Sequence, residues 1–363
     1  MDIFEDFLKT EKKLDLYNKE VLGMKYWEFI RFGVLHEITI RKNNSSDMLA
    51  ATRPKGLRVY LLNLKKIKNY LGICKIPKVD LLVISHPRRI KQGNKFYNIF
   101  IDPIVESLSS DYKCLTLEEP CWCGLTASKT SHFFPVGTKN IYFTDLYELL
   151  FLLKSSLFKV LHYKKYKKIL SEINKILLLF DNKYDVDLHL TKKHFVDKII
   201  YNYTMKKMWK KIVQKINPKA VLLHYFPTSF KVLLINICNE LGIPTIELQH
   251  GIITYSDPAE HKTYDINDCF NVPKYLFAFG NKMVNKKFLT TESKNIKFVG
   301  FPFLEKKVKS NYELPLTLKK HEKYILFISQ DMLGKELSKF ASKLSELLKD
   351  KPEYKIIYKY HPN

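Results

Sequence analysis

The stretch Asp80-Leu81-Leu82-Val83-Ile84-Ser85-His86-Pro87-Arg88-Arg89 decides the fold class. Leu81-Leu82-Val83-Ile84 is a short continuous apolar run without alternation, the pattern of a strand covered on both faces. It stops abruptly in a polar cluster that contains a proline. The same pattern recurs at 112–117, 141–143, 220–225, 245–251, 275–279, 296–299, 324–328 and 354–360. Helix-period segments lie between these runs, most clearly at 146–160 and 196–216. Strands alternating with helices at these intervals predict βαβ units, a mostly parallel sheet and an α/β fold.

Upstream of this series, residues 1–78 read as a mostly helical segment. Phe4, Phe7 and Leu8, then Leu14, Leu16 and Tyr17, recur at helical spacing, and Trp27-Glu28-Phe29-Ile30-Arg31 opens a helix whose aromatic face needs a cover. At 363 residues the chain exceeds the ~250–300 at which single cores stop growing, so two further domains are expected. We place one at 79–260 and the other at 261–363, with the boundary falling near 252–272.

Composition narrows the function classes. Hydrophobic residues make up 46% and charged residues 27%, and the 22 Tyr and 24 Phe fit packed α/β layers rather than disorder. Net charge is +24, from 61 Lys+Arg against 37 Asp+Glu. Such an excess attracts anionic lipid, phosphorylated substrates or nucleic acid. It is mostly lysine, as in Lys164-Lys165-Tyr166-Lys167-Lys168, which favours non-specific surface attraction over base reading by arginine forks. A generally lysine- and asparagine-rich composition is the plainer reading. Segment 146–180 fits either a basic amphipathic helix lying on a membrane or a surface helix with a solvated lysine face.

The N-terminal residues are acidic and amphipathic, unlike a signal peptide, and no run reaches the ~18 apolar residues of a membrane span. Six irregularly spaced cysteines suggest a reducing compartment, and Cys121-Trp122-Cys123 lacks a second ligand pair for a metal. The expectation is a cytoplasmic protein with peripheral membrane contact. Phosphate-binding Gly-rich loops, His-Glu-x-x-His, Gly-x-Ser-x-Gly, zinc fingers and RNA-binding aromatic signatures are missing from the sequence.

The candidate site residues come from strand tips, because the carboxyl ends of strands in open α/β sheets form the ligand crevice. His250, between Gln249 and Gly251, is a candidate general base; Gly251 permits close backbone approach, and Glu247 on the same strand is a candidate partner for the imidazole. Lys359, Tyr360, His361 and Pro362 end the last run, and Ser329-Gln330 end the one before, which suits phosphate binding. His86 and Arg88, with Arg89, place fixed positive charge at the first tip. Glu118-Glu119-Pro120 offers paired carboxylates, of which Glu119 is a candidate base, or simply a turn; Asp102 is open to the same two readings.

Three stretches carry a resemblance. Ile243-Pro244-Thr245-Ile246-Glu247-Leu248-Gln249-His250-Gly251 with His261 and Tyr264, Ser329-Gln330 with Tyr358-Lys359-Tyr360-His361-Pro362, and Leu16-Tyr17 through Trp27-Glu28-Phe29-Ile30-Arg31 resemble bacterial capsule and surface-polysaccharide glycosyltransferases of the GT-B type. The region around 120–215 contributes least. The resemblance implies two Rossmann-like domains facing across a cleft, and transfer of a sugar from a nucleotide-sugar donor to a lipid-linked glycan at the inner membrane face. It implies donor phosphate held by His361 and Lys359 with Ser329 and Gln330 beside them, and no metal; no cofactor and, from the missing nucleic-acid-binding signatures, no nucleic-acid partner are expected. Transfer of a polyol phosphate from a CDP donor, and an inactive basic binding module, are the alternatives. In that family the His-Pro motif is followed by the rest of a nucleotide-binding domain of ~100–150 residues, whereas here Asn363 follows directly; the expectation is an incomplete second domain and a truncated gene product.

Overall fold

The computed structural model describes residues 3–42, 78–85, 89–92, 95–119, 141–224, 228–253, 271–284, 289–309, 323–329 and 334–360. In chain order the strands are β1 (Glu20–Val21), β2 (Met24–Lys25), β3 (Leu81–Ser85), β4 (Ile90–Gln92), β5 (Lys95–Tyr97), β6 (Cys114–Glu118), β7 (Ile141–Phe143), β8 (Ala220–His224), β9 (Thr245–Leu248), β10 (Tyr275–Ala278), β11 (Ile296–Phe298), β12 (Lys323–Ile328) and β13 (Tyr354–Lys359). Nine α-helices lie among the described residues: α1 (Ile3–Lys13), α2 (Trp27–Lys42), α3 (Asp102–Leu108), α4 (Asp145–Leu161), α5 (Tyr163–Tyr184), α6 (Lys192–Ile216), α7 (Ser229–Glu240), α8 (Pro302–Lys309) and α9 (Gly334–Leu347). The fold is mixed α/β, as the alternating runs predict.

Two compact units share the chain, Met1–Phe303 and Leu304–Asn363. The first is built on a seven-stranded sheet in the order β11-β10-β9-β8-β3-β6-β7. Every pairing in it is parallel. The first described strand of the sheet, β3, is interior; the chain winds outward through β6 and β7, then returns to the other side of β3 and runs outward through β8 to β11. This is the doubly wound order, with its switch point between β3 and β8. The sheet therefore continues through β10 and β11, past the boundary near 260 read from the sequence. Two short apolar runs look alike whether they start a sheet or extend one.

Alternation along the strands sends two sets of side chains to opposite faces. Leu82, Ile84, Leu115, Leu117, Val221 and Leu223 pack against α6 through Met205, Trp209 and Val213 and against α7 through Phe230, Leu233, Leu234 and Ile237. On the other face Val83, Leu222 and Leu248 pack against Ile101 and Val105 at α3. Local chemistry sets the connections. Asn217 ends α6 in the left-handed region at φ 50°. Gly242 turns the chain at φ 70° before Pro244 leads into β9, a conformation that glycine adopts without a Cβ penalty.

The N-terminal helices are joined to this unit. The aromatic face of α2 is covered by α5: Trp27 stacks on Phe180 with centroids 5.6 Å apart and planes 5° from parallel. Phe7 of α1 lies 5.3 Å from Phe180. Glu11, 2% exposed, accepts from Trp27 Nε1 at 2.6 Å and from Arg31 Nε at 2.6 Å and Nη2 at 3.1 Å. That carboxylate locks α1 to α2 inside an apolar layer, where an unpaired charge would be strongly unfavourable.

The second unit contains a βαβ element. Strands β12 and β13 pair in parallel from Lys323↔Tyr354 to Ile328↔Lys359, joined through α9. The exposed apolar residues of this unit include Leu326, Ile328, Phe340 and Leu347.

Candidate functional site

The carboxyl ends of β3, β6 and β8 flank the switch point, and their last residues are polar: Ser85, Glu118 and His224. Ser85 and Glu118 are register partners. All three continue the face of Val83 and Leu222, the side on which α3 and its preceding loop lie.

Arg89 occupies the centre of this polar end. Its Nε and Nη2 donate to Glu118 Oε1 and Oε2 at 3.1 and 2.7 Å, the bidentate fork that a guanidinium forms with a carboxylate. Nη1 donates to Asp102 Oδ2 at 3.2 Å, and Nη2 also lies 3.3 Å from Ser85 Oγ. Asn98 closes the ring: its amide Nδ2 donates to Ser85 at 3.2 Å, its backbone N–H donates to Asp102 at 2.7 Å, and its Oδ1 accepts from Phe100 N and Ile101 N at 3.0 Å each. Arg89, Asp102 and Glu118 are all essentially sealed from solvent. Burial pushes the Asp102 carboxyl up to about 6, against the pull of Arg89 and the Asn98 N–H, with Glu118 and Glu106 adding to the rise.

A second polar knot ties β6 and β8 to α7. Glu119 accepts from Thr228 Oγ1 at 3.0 Å, and its other oxygen pairs with Lys231 Nζ at 2.9 Å. Lys231, fully buried, also donates to the His224 carbonyl at 2.7 Å. Thr228 caps α7 by accepting from Lys231 N. Both carboxylate oxygens of Glu119 are thus engaged in holding strand ends to a helix start.

The third component is aromatic. The His224 ring stacks on Phe100 at 4.2 Å and 23°. Phe100 faces Phe301 at 5.3 Å and 10°, and Phe301 faces Phe279 at 4.7 Å and 17°. The ring of His250 stands edge-on to His224, 6.1 Å away at 74°. Tips of β8, β9, β10 and β11 and the loop before α3 therefore converge on one shelf, in which His224 is buried and Phe100, Phe279, Phe301 and His250 are half-buried. Such a shelf can take the flat face of a nucleobase or the apolar face of a sugar.

Gln249 explains how His250 is held. Its Oε1 accepts from Phe279 N at 2.7 Å, while Nε2 donates to the carbonyls of Gly251 at 2.6 Å and Met283 at 2.9 Å. The buried amide staples the loop after β9 to the loop after β10. Gly251 has open space where a Cβ would stand.

The residues picked from the sequence are thus distributed unevenly. His250 and Gly251 lie on the shelf, and Glu119 lies in the knot beside it. Glu247 pairs in register with Leu223, on the sheet face opposite to Leu248 and His224. In the second unit, Ser329 N donates to the Lys359 carbonyl at 2.9 Å, which sets the two strand tips side by side. The Tyr358 hydroxyl lies 3.3 Å from Ser329 Oγ and 2.9 Å from the Gly334 carbonyl at the start of α9, and Lys359 is exposed. His86, Arg88, Gln330, His361 and the pair Cys121 and Cys123 fall outside the described residues.

Sequence reading passed over His224, Lys231, Phe100, Phe279 and Phe301. A signal existed for two of them. His224 closes an apolar run at the crevice end of a strand, and Lys231 interrupts the apolar start of a helix, where a buried ion pair is the usual reason.

No protein-family model and no curated protein matches the chain. Among solved structures it is similar to a UDP-N-acetylglucosamine 2-epimerase from Rickettsia bellii, at 12% identity over 79% of this chain and 63% of that one, with a TM-score of 0.36. It is also similar to a UDP-GlcNAc 2-epimerase from Neisseria meningitidis bound to UDP-GlcNAc, at 13% identity over 78% and 66%, with a TM-score of 0.34. The chain thus spans less than two thirds of the length of either.

Proposed function

We propose that the protein is a GT-B-type glycosyltransferase that moves a sugar from a nucleotide-sugar donor to a lipid-linked surface glycan, working in the cytoplasm at the inner face of the membrane. One observation carries the reading: the strand tips around the switch point of the doubly wound sheet bring a histidine pair and a shelf of three phenylalanines together. The motif resemblance around Gln249-His250-Gly251 supports it.

In this reading His250 takes the proton from the acceptor hydroxyl as that oxygen bonds to the anomeric carbon. The bond from that carbon to the phosphate oxygen breaks, and the electron pair leaves on the nucleotide. Within the second unit, Ser329 and Lys359, with Gln330 and His361 as the resemblance implies, are the candidate group for binding phosphate. Phe100, Phe279 and Phe301 seat a flat ring of donor or acceptor. Glu119 acts as a structural tie rather than a base, because its two oxygens already hold Thr228 and Lys231. The Arg89 cluster sets the floor of the crevice.

Titration of the chain with a panel of UDP-, CDP-, GDP- and CMP-activated sugars tests the donor class. Saturable binding of one activated sugar supports the reading. A CDP-polyol as the sole ligand transfers the proposal to polyol-phosphate chemistry, and binding of none of them defeats it.

A further inference from the structure

Helix α4 is apolar on two sides. Ser155 and Phe158 are buried, and Phe158 packs into the core formed with Ile169, Ile173 and Phe195. The opposite side carries Leu153, Leu157, Val160 and Leu161, spaced at i, i+4, i+7 and i+8, so they form one stripe. These four are 64%, 57%, 74% and 66% exposed, and Tyr163, which opens α5, is 56% exposed. Aliphatic exposure of this extent along one helix marks an interaction surface rather than scattered surface residues.

The charge around the stripe selects the partner. Residues 151–171 contain six lysines and no acid. Lys164, Lys167 and Lys168 are exposed at the tip of the stripe, and the Lys167 ammonium sits 5.3 Å over the Tyr163 ring. Lys159 pairs with Asp197 at 2.8 Å, and Lys165, also exposed, reaches the Tyr203 hydroxyl at 3.2 Å. A second copy docking through a two-fold axis would set this lysine cluster against itself. An anionic bilayer surface instead supplies both what the stripe lacks and what the lysines attract: an acyl boundary beneath a negative headgroup layer. Among the described residues no helix is long and apolar enough to cross a membrane.

We infer that the elbow between α4 and α5 docks the protein on anionic lipid, with Leu153, Leu157, Val160 and Leu161 entering the headgroup boundary and Lys164, Lys167 and Lys168 pairing with phosphates. The inference takes the membrane placement of the proposed function and assigns it a surface. Tyrosine and lysine together at the tip are the pair that anchors at such a boundary. Each methylene leaving water is worth roughly fourfold in partitioning, and each lysine at an anionic surface roughly fivefold.

Co-sedimentation of the full chain with phosphatidylcholine vesicles, with and without phosphatidylglycerol, tests this. The native chain should sediment with the anionic vesicles. The variant Leu157→Glu/Val160→Glu/Leu161→Glu should lose roughly tenfold or more of that affinity. A second variant, Lys164→Gln/Lys167→Gln/Lys168→Gln, should bind more weakly and with a shallower dependence on salt. Both should melt as the native chain does, since every replaced side chain is exposed. Three outcomes would overturn the inference: no vesicle binding by the native chain, equal binding by the glutamate variant, or a lipid-free dimer that the glutamate variant converts to monomer. Donor binding measured without lipid reports on the proposed activity separately.

Discussion

The imidazole of His224 lies flat against the ring of Phe100, with centroids 4.2 Å apart and planes 23° from parallel. This contact joins the tip of β8 to the loop before α3 and starts the shelf that continues through Phe301 and Phe279. Replacing Phe100 by alanine removes the middle of that shelf. Stacking of a base on an aromatic side chain is worth about 1–3 kcal/mol, so, on the proposed function, Phe100→Ala should weaken binding of a nucleotide sugar by roughly fivefold or more. Calorimetric titration reads the change. Unaltered affinity would show that the flat ligand sits elsewhere.

Arg89 and its two carboxylates form a buried group in which the charges are mutually dependent. Removing the guanidinium leaves Glu118 and Asp102 sealed from water without compensation, the situation that costs about 3–5 kcal/mol in proteins. Arg89→Met should therefore destabilise the first unit by about that amount in urea denaturation. Arg89→Lys, which keeps the charge and loses the fork, should fall between the two. A loss below about 1 kcal/mol in Arg89→Met would mean that the cluster is wetter than its geometry indicates.

The raised Asp102 carboxyl links stability to pH. Its ordinary value is 3.8 and its folded value about 6, so the folded chain holds this proton more tightly than the unfolded chain does. The resulting stabilisation is fully present below the unfolded value and is lost as pH rises through 6. Over that window the native chain should lose on the order of 1–3 kcal/mol relative to an Asp102→Asn variant, whose dependence is flatter. Parallel denaturation curves at several pH values compare the slopes. Identical slopes in the two proteins would contradict the assignment.

Gly33 of α2 faces Phe195 and Lys198 of α6. A Cβ there would stand 2.7 Å from Phe195 Cε1 and 3.3 Å from Lys198 Nζ, and the Phe195 ring is fully buried. Alanine is the better helix former by about 1 kcal/mol, while forcing an extra carbon into a packed core costs about 1–3 kcal/mol. Gly33→Ala should thus lower stability by up to about 2 kcal/mol. Thermal unfolding decides the sign, and a rise in melting temperature would show that Phe195 yields.

What was legible in the sequence follows from what leaves a local trace. The strands at β3, β7, β8 and β9 are visible as apolar runs because both faces are covered, and helices α4 and α6 are visible through their period. Strand order leaves no such trace: pairing of β10 with β9 depends on the crossover, and so the sheet runs past the boundary near 260. The site divides in the same way. His250 is visible because it sits between a strand and a glycine. The meaning of Glu118 and Glu119 is not, because the cations that occupy them, Arg89 and Lys231, come from other strand and helix ends. An isolated carboxylate pair reads as a base; the folded chain shows two ties.

The most direct test of the central claim is turnover by the native chain and by His250→Gln, with the donor identified by titration and a lipid-linked acceptor. General-base assistance contributes about 10²–10⁴ in rate, so His250→Gln should reduce kcat by that order while donor affinity stays within a few fold. Undiminished kcat in His250→Gln, or a native chain that consumes no nucleotide sugar, would contradict the assignment of the crevice beside β8 and β9 as the site of glycosyl transfer.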